Sequence, residues 1–231
     1  MKTIGLIGGM SWESTQVYYR LMNEKVREAL GGLHSAKLVL YSVDFAEIEA
    51  LQHQGDWQAT GEILGGAAGA VERAGADILV LCTNTMHKVA PQIEQATSLP
   101  LLHIADATAS VLKKQGIISV GLLGTRFTME QAFYRDRLRE HGIEVVVPDE
   151  AQRECIHSVI YNELCRGEVR PESKTAYLDV IASLADRGAQ GVILGCTEIG
   201  LLVQSADTAV PLYDTTEIHA GQAVQVALGG L

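Results

Sequence analysis

The sequence predicts an α/β protein made of two similar flavodoxin-like or Rossmann-like α/β domains related by pseudo-twofold symmetry, and three observations predict it. First, Arg73-Ala-Gly-Ala-Asp-Ile-Leu-Val-Leu-Cys-Thr-Asn-Thr returns as Asp186-Arg-Gly-Ala-Gln-Gly-Val-Ile-Leu-Gly-Cys-Thr-Glu. Laying Gly75 on Gly188 gives an offset of 113 residues (188 − 75), which pairs Thr83 with Cys196 (196 − 83) and leaves Cys82 one residue short. Second, Ile4-Gly-Leu-Ile-Gly reappears as Val120-Gly-Leu-Leu-Gly, and Tyr19-Arg20 as Tyr134-Arg135. Third, short glycine-bounded apolar runs, which read as buried parallel strands, alternate with segments of helical length. Matching motifs in one order make chance similarity a poor explanation.

Taken in order, residues 3–8 form a first strand. Gly8-Gly9-Met10-Ser11 is a turn, with Ser11 the N-cap of a helix that turns Val17, Tyr18, Leu21, Met22 and Val26 inward. The turn reads equally as a tight corner or as a place where backbone donors hold a carboxylate. The dinucleotide pattern GxGxxG and a P-loop lysine are both absent from it. A second strand over 37–43, helices over 45–54 and 57–74, a third strand ending at Cys82, a helix over 86–95 and a short strand over 99–104 complete the first half. The second half repeats the plan: strands at 116–124 and 143–147, helices over 152–165 and 174–187, the strand into Cys196, and a strand at 209–213. The last helix, 216–228, has no partner of equal length at the end of the first half. The domains are expected at 1–104 and 105–214, with 215–231 packing back on the first.

A chain of 231 residues has room for two small domains, and 23 glycines with few aromatics suit many tight strand-to-helix turns. A net charge of −10, spread without long blocks, argues against nucleic acid or an anionic membrane as partner. No stretch approaches membrane-spanning length and no signal peptide is recognisable, so a cytoplasmic protein is expected. Cys82, Cys155, Cys165 and Cys196 show neither CxxC spacing nor a metal-type histidine pattern, and read as free thiols. No metal or cofactor is expected.

Cys196 differs from the other three because Thr197 and Glu198 follow it at a strand end, and ligands bind outside such ends. If equivalent strand ends face each other, Thr83 confronts Cys196 while the loop amides of Asn84, Thr85, Thr197 and Glu198 hold a carboxylate. Such a site suits proton transfer on both faces of one carbon. His87, one helical turn past Thr83, reads either as a proton relay or as a plain helix-face histidine. His103 and His219 receive no role, and Arg166 is read as solvated. A hydrolase would need a histidine oriented beside Cys196, which no pairing in the sequence supports.

These residues carry a resemblance. From Gly8-Gly9-Met10 through Cys82-Thr-Asn-Thr-Met-His87 to Gly195-Cys-Thr-Glu198, the chain resembles the aspartate/glutamate racemase family over its whole length. The resemblance implies cofactor-independent racemisation of an acidic amino acid between two similar domains, usually in a homodimer. It implies Cys196 as one acid/base, substrate contacts at Met10, Asn84, Thr85, Thr197 and Glu198, and another at Gln52. In the family a second cysteine directly precedes Asn-Thr, and here that slot holds Thr83, which reads either as the second proton-transfer group or as a strand-end threonine that only bonds backbone or the substrate carboxylate. Cys82, displaced by one residue, would reach the site only through a bulge, since one step along a strand flips the side chain to the other face. Related enzymes on this fold racemise hydantoins, decarboxylate arylmalonates or isomerise maleate, and a carboxylate-binding module without turnover is a further alternative.

Overall fold

The structure, a computed structural model, describes residues 1–230. Its elements run β1 (Ile4–Gly8), α1 (Trp12–Leu30), β2 (Leu38–Ser42), α2 (Phe45–Gln54), α3 (Trp57–Arg73), β3 (Ile78–Leu81), α4 (Ala90–Gln95), β4 (Leu101–Leu102) and α5 (Ile104–Lys114). They continue with β5 (Ser119–Gly124), α6 (Arg126–Glu130), α7 (Ala132–Glu140), β6 (Glu144–Val146), α8 (Glu150–Asn162), α9 (Pro171–Asp186), β7 (Val192–Gly195), α10 (Ile199–Leu202), β8 (Leu212–Asp214) and α11 (Thr215–Ala227). The strands make two parallel four-stranded sheets, in the orders β2-β1-β3-β4 and β6-β5-β7-β8. No helix among the described residues is long and apolar enough to cross a membrane.

The chain divides into two compact units. The first holds Met1–Ile104 and the residues from Thr216 on; the second is Ala105–Thr215. Each sheet is assembled from its own half of the sequence, because parallel strands need crossover helices and those helices then cover both sheet faces.

In the first unit, Ile4, Leu6, Ile78, Val80 and Cys82 pack against Tyr18, Met22 and Val26 of α1 and Ala220, Ala223 and Val224 of α11. Their alternates Ile7, Leu79 and Leu81 pack against Leu64, Ala67, Ala68 and Val71 of α3 and against Met86 and Ile93. Period-2 alternation therefore decides where Cys82 goes: into the core beneath α1 and α11. In the second unit, Leu123, Val192 and Leu194 pack on Ile156 and Ile160 of α8 and Tyr177, Ile181 and Leu184 of α9. Val120, Leu122 and Ile193 are buried as well.

Several expectations need correcting. Helix α5 was not anticipated, and with 11 residues against 13 it is the counterpart that α11 was expected to lack. Strand β4 is only Leu101–Leu102, so the short apolar run after Pro100 is mostly the entry to α5. The segment after β3 begins as a 3-10 helix, Thr85–Val89, before α4. Cys165 lies in a separate 3-10 turn, Leu164–Arg166, beyond the end of α8. Ser11 caps α1 as expected, accepting from the Ser14 amide at 3.3 Å.

Candidate active site

In the first unit the site residues sit at the carboxyl ends of β1 and β3 and on α2. Beyond β1 the chain turns at Gly9, whose φ of +96° and 2.3 Å approach of a hypothetical Cβ to the Val43 carbonyl admit only glycine. The Gly9 amide donates to Thr15 Oγ1 at 2.8 Å, and that hydroxyl donates to the Ser11 carbonyl at 2.8 Å. This bracing leaves Met10 buried at the turn, with a cis peptide to Ser11. Gln52, on the last turn of α2, is buried despite its amide.

Thr83, Asn84 and Thr85 follow β3, and all three are buried. The Cys82 amide still pairs with the Ile7 carbonyl at 2.9 Å, while the Thr83 amide turns back to Leu81 O at 2.9 Å. The ladder thus ends between these two residues. Burial pushes the Cys82 thiol far above its ordinary value, so it is an inert core group on the α1–α11 side.

Behind Thr83 stand three histidines. His87 Nδ1 lies 2.8 Å from the Thr83 carbonyl, and its Nε2 accepts from the Ile104 amide at 3.2 Å. His103 and His219 lie 4.5 and 5.8 Å from the His87 ring, centre to centre. His219 accepts from the Tyr18 hydroxyl at 2.9 Å and donates Nε2–H to the Leu102 carbonyl at 2.7 Å. Burial first, then neighbouring histidines, depress His87 well below the usual imidazole range, and burial takes His219 down to about 4. Both rings are therefore neutral near pH 7. His87 is neither an exposed helix-face histidine nor hydrogen-bonded as a relay to the Thr83 hydroxyl.

In the second unit β7 delivers Cys196. Its strand is buried throughout, and Gly195 lies so close to β5 that a Cβ there would meet the Leu123 carbonyl at 2.7 Å. Beyond the strand, Cys196 Sγ donates to Glu198 Oε2 at 3.0 Å and Thr197 Oγ1 donates to the same oxygen at 2.7 Å. Glu198 is only 5 % exposed, so this carboxylate depends on these donors for much of its solvation. Burial first and the Glu198 charge second hold the Cys196 thiol well above its ordinary value; Cys165 adds to the effect. Tyr177 lies among the same groups and donates to the Ile156 carbonyl at 3.0 Å. Sequence reasoning missed Tyr177 and the nearness of Cys165, because neither carries a local pattern.

Among the described residues no His, Cys, Asp and Glu group is placed to hold a metal ion. The arrangement offers two strand ends at repeat-equivalent positions, one bearing an alcohol and the other a thiol beside a carboxylate, both followed by a 3-10 or α-helical turn.

A family model described as "Asp/Glu/Hydantoin racemase" matches residues 7–223. The chain belongs to this family. It is 24 % identical over 233 aligned residues, 97 % of this chain and 98 % of the relative, to the broad specificity amino-acid racemase RacX of Bacillus subtilis strain 168. Among solved structures, an Asp/Glu racemase candidate from Yersinia pestis is 59 % identical with a TM-score of 0.94, covering 99 % of this chain and 100 % of that one. An aspartate racemase homologue from Pyrococcus horikoshii OT3 is 36 % identical with a TM-score of 0.87, over 99 % and 100 %. Membership in the racemase family makes the chain an isomerase of the amino-acid racemase class.

Proposed function

We propose that this racemase inverts the α-carbon of an acidic amino acid, aspartate or glutamate, with Cys196 serving the L-enantiomer and Thr83 the opposite face. The observation that carries the reading is the Cys196–Glu198 hydrogen bond at a strand end, set against a buried threonine at the repeat-equivalent strand end. Inversion needs one group to take the α-proton and a second, on the other face of the carbon, to return one.

A thiol cannot accept that proton; a thiolate can. Glu198 is the acceptor positioned to take the Sγ proton, which removes its own charge, and the ammonium group of an amino-acid substrate offsets the thiolate charge that burial disfavours. The thiolate then removes the α-proton, Thr83 donates its hydroxyl proton to the carbanion from the other side and regains one from solvent, and Glu198 releases the Sγ proton to solvent, which restores the starting state. The backbone donors after β1, β3 and β7 are assigned to the substrate carboxylates, with Met10, Gln52, Asn84, Thr85 and Thr197 as contacts. No cofactor enters this scheme, and a homodimer is the proposed assembly.

Deuterium washout followed by NMR in D2O with L- and D-aspartate and glutamate tests the reading. Washout that disappears in Cys196→Ser supports it. Binding of these amino acids without any washout would mark a carboxylate-binding module instead.

A further inference from the structure

The two repeats part company directly behind their strand ends. At the 113-residue offset His87 corresponds to Gly200 (200 − 87). A Cβ on Gly200 would lie 2.8 Å from Asp214 Oδ2, so in the second unit the space beside this position is taken by the Asp214 carboxylate. The first unit fills the place with a buried imidazole.

Both nitrogens of that imidazole are committed. A backbone amide can only donate and a backbone carbonyl can only accept, so the bonds to Ile104 N–H and Thr83 C=O require the neutral Nδ1–H tautomer. Passing a proton would break one of them. What the ring does is hold the Thr83 carbonyl, while the Thr83 amide is held by Leu81 O at 2.9 Å. Thr83 is thus pinned at both backbone polar groups. Threonine is β-branched and stiff at χ1, so fixing its backbone goes far towards fixing the direction of its hydroxyl. Cys196, unbranched, takes its direction instead from a side-chain bond to Glu198.

We propose that His87 is the positioning residue of the Thr83 half-reaction, a neutral clamp between the Thr83 carbonyl and the Ile104 amide that aims the threonine hydroxyl and transfers no proton itself. The inference rests on the reading that Thr83 serves one face of the α-carbon. Misplacement of a reacting group by an ångström costs on the order of 100-fold, so a loosened clamp should impair one face selectively.

The test follows α-proton washout and inversion together in D2O, starting from L-aspartate or L-glutamate. Washout reports Cys196; inversion also requires delivery by Thr83. In His87→Leu, inversion falls about tenfold while washout stays within about threefold of wild type, so the number of washouts per inversion rises. His87→Gln, which retains a donor but not the imidazole geometry, shifts the ratio the same way by about threefold, and decides the matter alone if the leucine variant does not fold. Washout and inversion falling in step, or an unchanged ratio, overturns the proposal. Absence of any washout from the wild-type protein would overturn the racemase reading instead.

Discussion

The Sγ of Cys196 donates to Oε2 of Glu198 at 3.0 Å, and the same oxygen accepts from Thr197 at 2.7 Å. One carboxylate oxygen thus aims the thiol and disfavours its ionisation. Removing the charge has opposite effects on two measurable quantities. In Glu198→Gln, the pH midpoint for alkylation of Cys196 by iodoacetamide moves down, because a negative neighbour is gone, while α-proton washout falls about 100-fold, because the proton acceptor is gone too. An upward shift of the alkylation midpoint would show that Glu198 does not act on Cys196 through its charge.

Cys196→Ser replaces the thiol by a hydroxyl that is far harder to ionise than an ordinary thiol, so washout from L-substrates should fall at least about 1000-fold. Cys155→Ser, at an exposed position on α8, should leave it within about twofold. Comparable losses in the two variants, measured by NMR, would remove the special standing of Cys196.

The histidine layer makes a pH prediction. Unfolded histidine titrates near ~6.5, whereas His219 in the fold is held at about 4 and His87 is also depressed. The unfolded state therefore binds more protons as pH falls below about 6.5, and stability present above that value is lost progressively towards pH 4, by roughly a few kcal/mol. Thermal melts between pH 7 and 4 should show this decline, and it should be shallower in His219→Gln. A His219→Gln profile parallel to that of the wild type would contradict the assignment.

Strand-end chemistry was legible in the sequence because it is local. The repeat by itself aligns Thr83 with Cys196, and the alternation that sends Cys82 to the α1–α11 core follows from strand period alone. Ser11 was readable as an N-cap because capping depends on a few adjacent residues. Helix α5 escaped because it starts two residues beyond a two-residue strand, too close for the apolar pattern to change period visibly. The His87–Thr83 and His219–Tyr18 bonds escaped for a different reason. A histidine's partners are set by packing between distant elements, as the 201-residue separation of Tyr18 and His219 illustrates, and no spacing rule announces them.

In the proposed mechanism Thr83 differs from Cys196 as an alcohol differs from a thiol. Its hydroxyl is about 10 kcal/mol harder to ionise, which makes it a poor base for removing a proton and a serviceable acid for returning one to a carbanion. Because enantiomers are equally stable in water, kcat/KM must match in the two directions, and the asymmetry is read most directly in exchange with solvent. Thr83→Cys should accordingly raise washout from the D-enantiomer.

The measurement that bears most directly on the pairing of Cys196 with Thr83 is the washout of the α-proton from each pure enantiomer of aspartate and glutamate in D2O, for the wild type and for Cys82→Ala. The L-enantiomer should lose its proton faster than it inverts, the D-enantiomer should exchange slowly, and Cys82→Ala should leave L-side washout largely unchanged. Equal washout from both enantiomers in the wild type, abolished by Cys82→Ala, would make Cys82 the second base and contradict the assignment of Thr83.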